Sequence, residues 1–245
     1  MIALELIGLD KSFGGLRVTK SIDLSIAPGE RRLIIGQNGA GKTTLFSLIT
    51  GEITADRGTV KLYGTDVTSL PSRRRTHLGL ARTYQIITLF PKDTLLHNLV
   101  LSLLGLSAQR WCAWRRLDRN DALHDEARQF LARVGLAHLA ERPLAQTSYG
   151  ERRRVEIAMA LAQKPRVLLL DEPFAGLSTD ERRDVQKLIL GIPRDVTIVM
   201  IEHDMDVALE LAERISVMHF GEMVVEGTRA EVVAHPRTRE IYLGE

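Results

Sequence analysis

The sequence predicts an α/β fold: a mixed, largely parallel core sheet, a smaller antiparallel β part near the N-terminus, and an α-helical subdomain inserted into the core. Three observations predict it. The first 65 residues alternate short apolar runs with Gly- and Pro-containing turns, as antiparallel strands do. Residues 86–163 change to the periodicity of helices. Beyond residue 164, unbroken apolar runs alternate with helical stretches. That is the pattern of parallel strands buried on both faces and joined by right-handed crossovers. The expected boundaries are 1–85 with 164–245 for the core and 86–163 for the helical subdomain, within one domain over 1–245.

Ile22–Ile26 and Leu33–Ile35 flank Pro28-Gly29, a turn that suits a strand-to-strand connection. After a glycine-rich stretch, the apolar spacing from Lys42 to Thr50 predicts a helix that Gly51 ends. Gly58–Leu62 and Gly64–Val67 read as strand and turn. Asp93 is placed to cap a helix over Thr94–Leu106. Asp118–Arg133 reads as a second helix closed by Gly135, and Glu151–Gln163 as a third, stopped at Lys164-Pro165. Val167–Leu170, Thr197–Ile201 and Ile215–Met218 are the predicted buried strands, separated by helices at Thr179–Leu190 and Asp204–Leu211. Arg73–Arg75 reads as a solvated helix face, and Arg152–Arg154 partly as one.

Composition narrows the function. At 44% hydrophobic and 26% charged residues the chain is an ordinary globular one rather than a disordered one. Thirty-three Lys and Arg against 31 Asp and Glu leave +2, too little for a protein that coats nucleic acid, and no nucleic-acid partner is expected. The single cysteine, Cys112, leaves no internal disulfide and no cysteine-based zinc site, which fits a reducing cytoplasm. The start Met1-Ile2-Ala3-Leu4-Glu5 lacks the regions of a signal peptide. No 18 apolar residues run together, so any membrane link is expected to go through partner chains.

Gly36-Gln37-Asn38-Gly39-Ala40-Gly41-Lys42-Thr43 matches the P-loop pattern G-x-x-x-x-G-K-[ST] in full, between a predicted strand and a predicted helix. Such glycines let backbone N–H groups curl around phosphates, and the helix N-terminus adds its positive dipole end. Lys42 is then the group for the β- and γ-phosphates, the Thr43 hydroxyl a ligand for Mg²⁺, and Thr44 a partner for the α-phosphate. Val167-Leu168-Leu169-Leu170-Asp171-Glu172 supplies the other half. Asp171 is read as holding Mg²⁺, directly or through water, and Glu172 as accepting a proton from the attacking water.

Thr147-Ser148-Tyr149-Gly150-Glu151-Arg152-Arg153 resembles the LSGGQ-type signature of the ATP-binding cassette (ABC) family, and on its own would be ordinary helix capping. In that family the serine and glycine grip the γ-phosphate bound by the opposite subunit, which points to Ser148 and Gly150. The resemblance implies three further roles. Gln85 matches the Q-loop glutamine that senses Mg²⁺ and the γ-phosphate, His203 matches the switch histidine, and Phe13 sits where an aromatic ring stacks on adenine. Thr147, Tyr149, Glu151 and Ser178 depart from the commonest family pattern; Ser178 with Glu181 also forms a capping box.

The resemblance implies an ATPase that works with ATP and Mg²⁺ as a head-to-tail pair, each ATP lying between the Lys42 loop of one domain and the Ser148 helix of the other. The local strings Phe13-Gly14-Gly15-Leu16, Ala81-Arg82-Thr83-Tyr84-Gln85, Ser148-Tyr149-Gly150-Glu151, Ile201-Glu202-His203-Asp204-Met205 and Ile241-Tyr242-Leu243-Gly244-Glu245 resemble the ATP-binding subunits of branched-chain (hydrophobic) amino-acid importers. That resemblance implies two permease subunits, a second ATP-binding subunit and a periplasmic solute-binding protein as partners. The chain would sit at the cytoplasmic face of the inner membrane. Trp111 and Trp114, one helical turn apart, either anchor a permease helix or close a local cluster. Lipopolysaccharide-export ATPases share Gly150–Ala158 and Asp171–Gly176, and stand as the alternative transporter. The alternative of another class is a soluble, non-transport ABC protein acting on ribosomes or DNA.

Overall fold

Strand alternation organises the N-terminal part: on β1 (Leu4–Phe13) the buried residues are Leu4, Leu6 and Leu9, the series stepping by three where the register shifts between Leu6 and Leu9. A computed structural model describes residues 1–84, 89–107, 121–202 and 210–243. The chain divides into two compact units, Met1–Arg82 with Arg166–Pro173 and Ile192–Glu245, and Thr83–Pro165 with Phe174–Gly191.

The first unit holds two sheets. In the antiparallel one, β2 (Leu16–Ile26), β1, β4 (Arg57–Leu62) and β5 (Thr65–Asp66) lie in the order β2-β1-β4-β5. The second contains β3 (Arg31–Ile35), β6 (Leu80–Arg82), β7 (Val167–Asp171), β8 (Thr197–Ile201), β9 (Arg214–His219) and β10 (Glu222–Gly227), in the order β10-β9-β3-β8-β7-β6. All neighbours in it pair in parallel except β10, which runs antiparallel to β9. Every residue of β3, β7 and β8 is buried, as strands covered on both faces require. Two of those residues are arginines. Arg32 is held by Glu30, Ser216, Glu226 and the Ser25 carbonyl, so β3 starts two residues before its apolar run.

Helix α1 (Lys42–Thr50) buries Leu45, Phe46, Leu48 and Ile49 in one core with residues of both sheets. At its end Gly51 turns left-handed (φ 74°) and its N–H bonds back to Leu48 and Ser47. Further donors to the carbonyls there come from Arg75 of α2 (Ser72–His77). Its Nη1 donates to the Leu48 and Ile49 carbonyls at 2.7 Å each, its Nε to Leu70 at 2.9 Å and its Nη2 to Thr68 at 2.8 Å. Arg73 and Arg74 are exposed, but Arg75 is 2% exposed, so the expected solvated face is corrected at this residue. A guanidinium offers five donors, and a helix C-terminus is a cluster of unsatisfied acceptors carrying partial negative charge.

In the second unit α3 (Leu95–Leu106), α4 (Asp121–Arg133) and α5 (Tyr149–Ala162) pack Leu95, Leu99, Val100, Phe130, Leu131 and Val155 into a core of their own. α6 (Thr179–Leu190) belongs to the same unit. The cap of α3 is Thr94, not Asp93: the Thr94 hydroxyl accepts from the His97 N–H at 3.0 Å, while Asp93 lies one residue outside, 3.4 Å from His97 Nδ1. α5 starts at Tyr149, two residues before the expected Glu151, because Ser148 supplies the cap. Arg153 is fully buried, a second correction to the solvated-face reading. Gly135 takes φ 73° past the end of α4, as expected. Of the helix expected over Asp204–Leu211, residues 203–209 lie outside the described residues.

Two short C-terminal helices, α7 (Arg229–Ala234) and α8 (Pro236–Leu243), were not expected, nor were β6 and β10. Among the described residues no helix is long and apolar enough to cross a membrane.

Candidate functional site

The loop 36–41 follows β3 at the sheet centre, and its shape is dictated by what crowds it. A Cβ at Gly36 would run into the Met218 carbonyl. Gly41 is left-handed (φ 103°), and a Cβ there would lie 2.7 Å from the Val18 carbonyl. The Gly221 N–H donates to the Ala40 carbonyl at 3.0 Å and Gln37 Nε2 donates to the Ile241 carbonyl at 2.7 Å, tying the loop to the β9–β10 turn and α8. Gln37, Asn38 and Gly39 are exposed at its tip. Lys42 folds back under the loop, its Nζ donating to the Gly36 carbonyl at 2.6 Å and to Gln37 at 3.1 Å. Burial pushes the Lys42 ammonium below its ordinary value, and the Glu172 and Asp171 carboxylates oppose that shift. α1 begins at Gly41 with no side-chain cap and no acidic residue in its first turn, so its positive end is shaped for an anion. Thr43 is exposed and Thr44 half-buried on that turn.

Parallel pairing brings the other half alongside. Ile34 on β3 pairs with Ile201 on β8, and Ile201 pairs with Asp171 on β7, so the three strands end level. Asp171 is 1% exposed, and Arg82 donates to its Oδ2 at 2.7 Å. The same guanidinium reaches Glu52 at 2.9 Å and the Ser47 hydroxyl at 3.1 Å. Arg82 was not singled out from sequence; its place on β6, the edge strand next to β7, is the signal that finds it. Glu172 leaves the strand with φ 45°, a left-handed backbone that costs a non-glycine residue of order 1 kcal/mol and re-aims its side chain. Its N–H bonds the Ile201 carbonyl at 3.0 Å, which holds that conformation.

The donor set fits Mg²⁺. The Thr43 hydroxyl and the Asp171 carboxylate are hard oxygens, the donor type that this ion takes. Among those residues no cluster of three His, Cys, Asp or Glu exists that holds a metal unaided. Two protein oxygens plus phosphate oxygens is the usual arrangement for this ion. Phe13 ends β1 at the hairpin turn, 50% exposed, with Lys11 Nζ 5.5 Å from its ring centroid. A core role for that ring is thereby excluded.

In the second unit Ser148 and Glu151 form a complete capping box at the start of α5, and Ser178 and Glu181 form another at α6. The two boxes are joined. Ser148 Oγ and the Gly150 N–H both donate to Glu181 Oε1 at 3.0 Å, while Ser178 gives its N–H and hydroxyl to Oε2 at 3.1 and 2.9 Å. These donors, those of Ser178 foremost, hold the Glu181 carboxyl below its ordinary value. From sequence Glu181 was legible only as a cap. The Tyr149 ring lies 3.4 Å from where a Cβ on Gly176 would be, so the residue that replaces a signature glycine packs on the loop before α6.

A depressed carboxyl stabilises the fold above its unfolded value, ordinarily 4.5, and that contribution is lost as pH falls through the folded value. Glu181→Gln is therefore expected to be less stable than the parent at neutral pH. The gap in Tm should close as pH drops below 4.5, measured by thermal unfolding from pH 7 to 3.

Gln85, His203, Trp111, Cys112 and Trp114 lie outside the described residues.

Comparison with known proteins places this geometry. The family model described as "ABC transporter" matches residues 19–175, more than half of the chain. A probable ABC transporter ATP-binding protein of Azorhizobium caulinodans is 37% identical, over 99% of this chain and 83% of its own. The high-affinity branched-chain amino acid transport ATP-binding protein BraF of Pseudomonas aeruginosa is 35% identical, over 99% and 98%. Its counterpart LivG of Escherichia coli K12 is 34% identical, over 97% and 96%. Among solved structures, the ADP conformation of MJ1267, an ATP-binding cassette of an ABC transporter, superposes over 100% of both chains with TM-score 0.89 at 30% identity. The dimeric post-hydrolysis state of the ATP-binding cassette MJ0796, bound to ADP and Pi, gives TM-score 0.79 at 26% identity, over 92% of this chain and 98% of that one. With a P-loop, a strand-end carboxylate pair and a capped signature helix on one chain, and relatives of this kind along nearly all of its length, the protein belongs to the ABC transporter family as an ATP-binding, ATP-hydrolysing subunit.

Proposed function

We propose that this subunit powers import of branched-chain or other hydrophobic amino acids, or a related small solute, as one half of a head-to-tail ATPase pair. The observation that carries this reading is likeness to BraF and LivG over at least 97% of the chain. In it, Lys42 and the loop amides from Gly36 to Thr44 bind the phosphates, and Phe13 stacks on adenine. Thr43, Asp171 and Gln85 hold Mg²⁺, which when bound neutralises phosphate charge. Glu172 takes the proton of the attacking water, His203 contacts the γ-phosphate, and Ser148 and Gly150 grip the nucleotide held by the opposite subunit. Residues 1–85 and 164–245 form the nucleotide-binding core, and 86–163 the helical subdomain. Partner permeases hold the chain at the cytoplasmic face of the inner membrane, and a periplasmic solute-binding protein delivers the cargo.

One expected result bears on these roles. Lys42→Met removes a charge-assisted contact and should weaken ATP binding about 10- to 100-fold by titration calorimetry. Unchanged affinity would remove Lys42 from the phosphate site.

The import reading is tested by tagging the chain, solubilising source membranes gently and identifying what co-purifies in stoichiometric amount. A second, different ATP-binding subunit with two permeases supports it. Two copies of this chain with permeases linked to outer-membrane bridge components would instead make it a lipopolysaccharide exporter.

A further inference from the structure

One buried ion pair in the helical unit grips the backbone of Tyr84. Arg153 and Glu156 on α5 are 0% and 7% exposed, and Arg153 Nη1 lies 2.5 Å from Glu156 Oε2. The same Nη1 donates to the Tyr84 carbonyl at 2.7 Å, and Glu156 Oε1 accepts the Tyr84 N–H at 2.7 Å. Both backbone groups of Tyr84 are thus gripped by one turn of α5, just after β6 ends at Arg82. A buried ion pair contributes little stability beyond what apolar side chains of the same volume would. What charge adds here is register: two short, directional bonds fix where Tyr84 sits along α5.

Tyr84 immediately precedes Gln85, and α5 is capped by Ser148. Arg153 lies five positions after Ser148, about 7.5 Å along the helix. We propose that Arg153 and Glu156 are positioning residues for ATP hydrolysis, fixing Tyr84 to α5 so that the segment entering Gln85 and the helix start at Ser148 move as one body. This rests on the roles proposed above for Gln85 and Ser148. A purely structural pair would support the helical core and leave turnover per folded molecule unchanged.

The test uses the full chain with Arg153→Met and Glu156→Leu together, which keeps side-chain volume and leaves no lone buried charge. ATP affinity, kcat, KM and Tm are measured in the otherwise native chain. Amide exchange of residues 83–88 and 148–152 is followed with and without Mg-ATP, in chains that also carry Glu172→Gln. Expected in the double variant are nucleotide affinity and KM within about threefold of the parent and kcat down about tenfold. Exchange at Tyr84 should rise at least about tenfold without nucleotide. ATP should still slow exchange at 148–152 but no longer at 83–88. Parental kcat with both segments still protected together overturns the proposal. If the double variant does not fold, Glu156→Gln decides: it keeps an oxygen for the Tyr84 N–H but breaks the ion pair. A lower kcat with faster Tyr84 exchange supports the grip, and parental values overturn it. Absence of ATP protection at 148–152 in the Glu172→Gln parent would instead remove Ser148 from the nucleotide site. In that case Tyr84 exchange without nucleotide still decides whether the pair holds this backbone.

Discussion

Glu172→Gln is expected to hydrolyse ATP about 10²–10⁴-fold more slowly than the parent chain while binding it as tightly. Glutamine matches glutamate in shape and keeps an acceptor oxygen, so the left-handed turn and the N–H bond to Ile201 survive. What disappears is the capacity to take a proton from water. Glu172 directly follows Asp171, at the end of β7 that lies level with the ends of β3 and β8, so its carboxylate belongs to the same end of the sheet as the loop that carries Lys42. Single-turnover hydrolysis and a binding isotherm separate the two effects. A kcat within a few-fold of the parent would put the base elsewhere. With hydrolysis stalled, Mg-ATP should also trap a closed pair, visible by sizing. A monomer peak that does not change would argue that the second half of the pair is a different chain.

Arg75→Ala is expected to cost about 3–5 kcal/mol of stability, the largest effect foreseen outside the nucleotide site. Four carbonyls, of Leu48, Ile49, Thr68 and Leu70, lose a donor at once in a place where the guanidinium itself is buried, while that of Leu48 keeps a second one, the Gly51 N–H. Lysine is no substitute, since one ammonium cannot present a planar fork to acceptors on two segments. The damage should also reach ATP, because α1, whose far end Arg75 secures, carries Lys42 and Thr43 at its start. Urea unfolding of the parent, Arg75→Lys and Arg75→Ala checks the order, with Arg75→Ala the least stable. A loss below about 1 kcal/mol would mean that water replaces the guanidinium.

What the sequence made legible follows from how far apart the interacting groups lie. α1 and α6 are where spacing placed them, Lys42–Thr50 and Thr179–Leu190, because helical period and caps are local signals. The P-loop and the Asp171-Glu172 pair were legible for the same reason. The supports around them were not. Arg82 and Asp171 are distant in sequence, as are Glu181 and Ser148, or Arg75 and Leu48, and only sheet pairing and helix packing bring them together. A charged residue reads as solvent-facing unless its partner is known, which is why Arg75 and Arg153 were misread. Asp93 and Thr94 are both good caps, and one residue of register decided between them.

The left-handed backbone at residue 172 also bears on how this protein tolerates change. Glycine accepts that conformation freely, so Glu172→Gly trades the strained geometry for a relaxed one and recovers roughly 1 kcal/mol. Selection for thermal robustness alone would therefore favour discarding the residue proposed above as the proton acceptor. Directed evolution toward a hardier scaffold has to hold position 172 fixed, or screen turnover in every round, because melting temperature and chemistry pull this one residue in opposite directions.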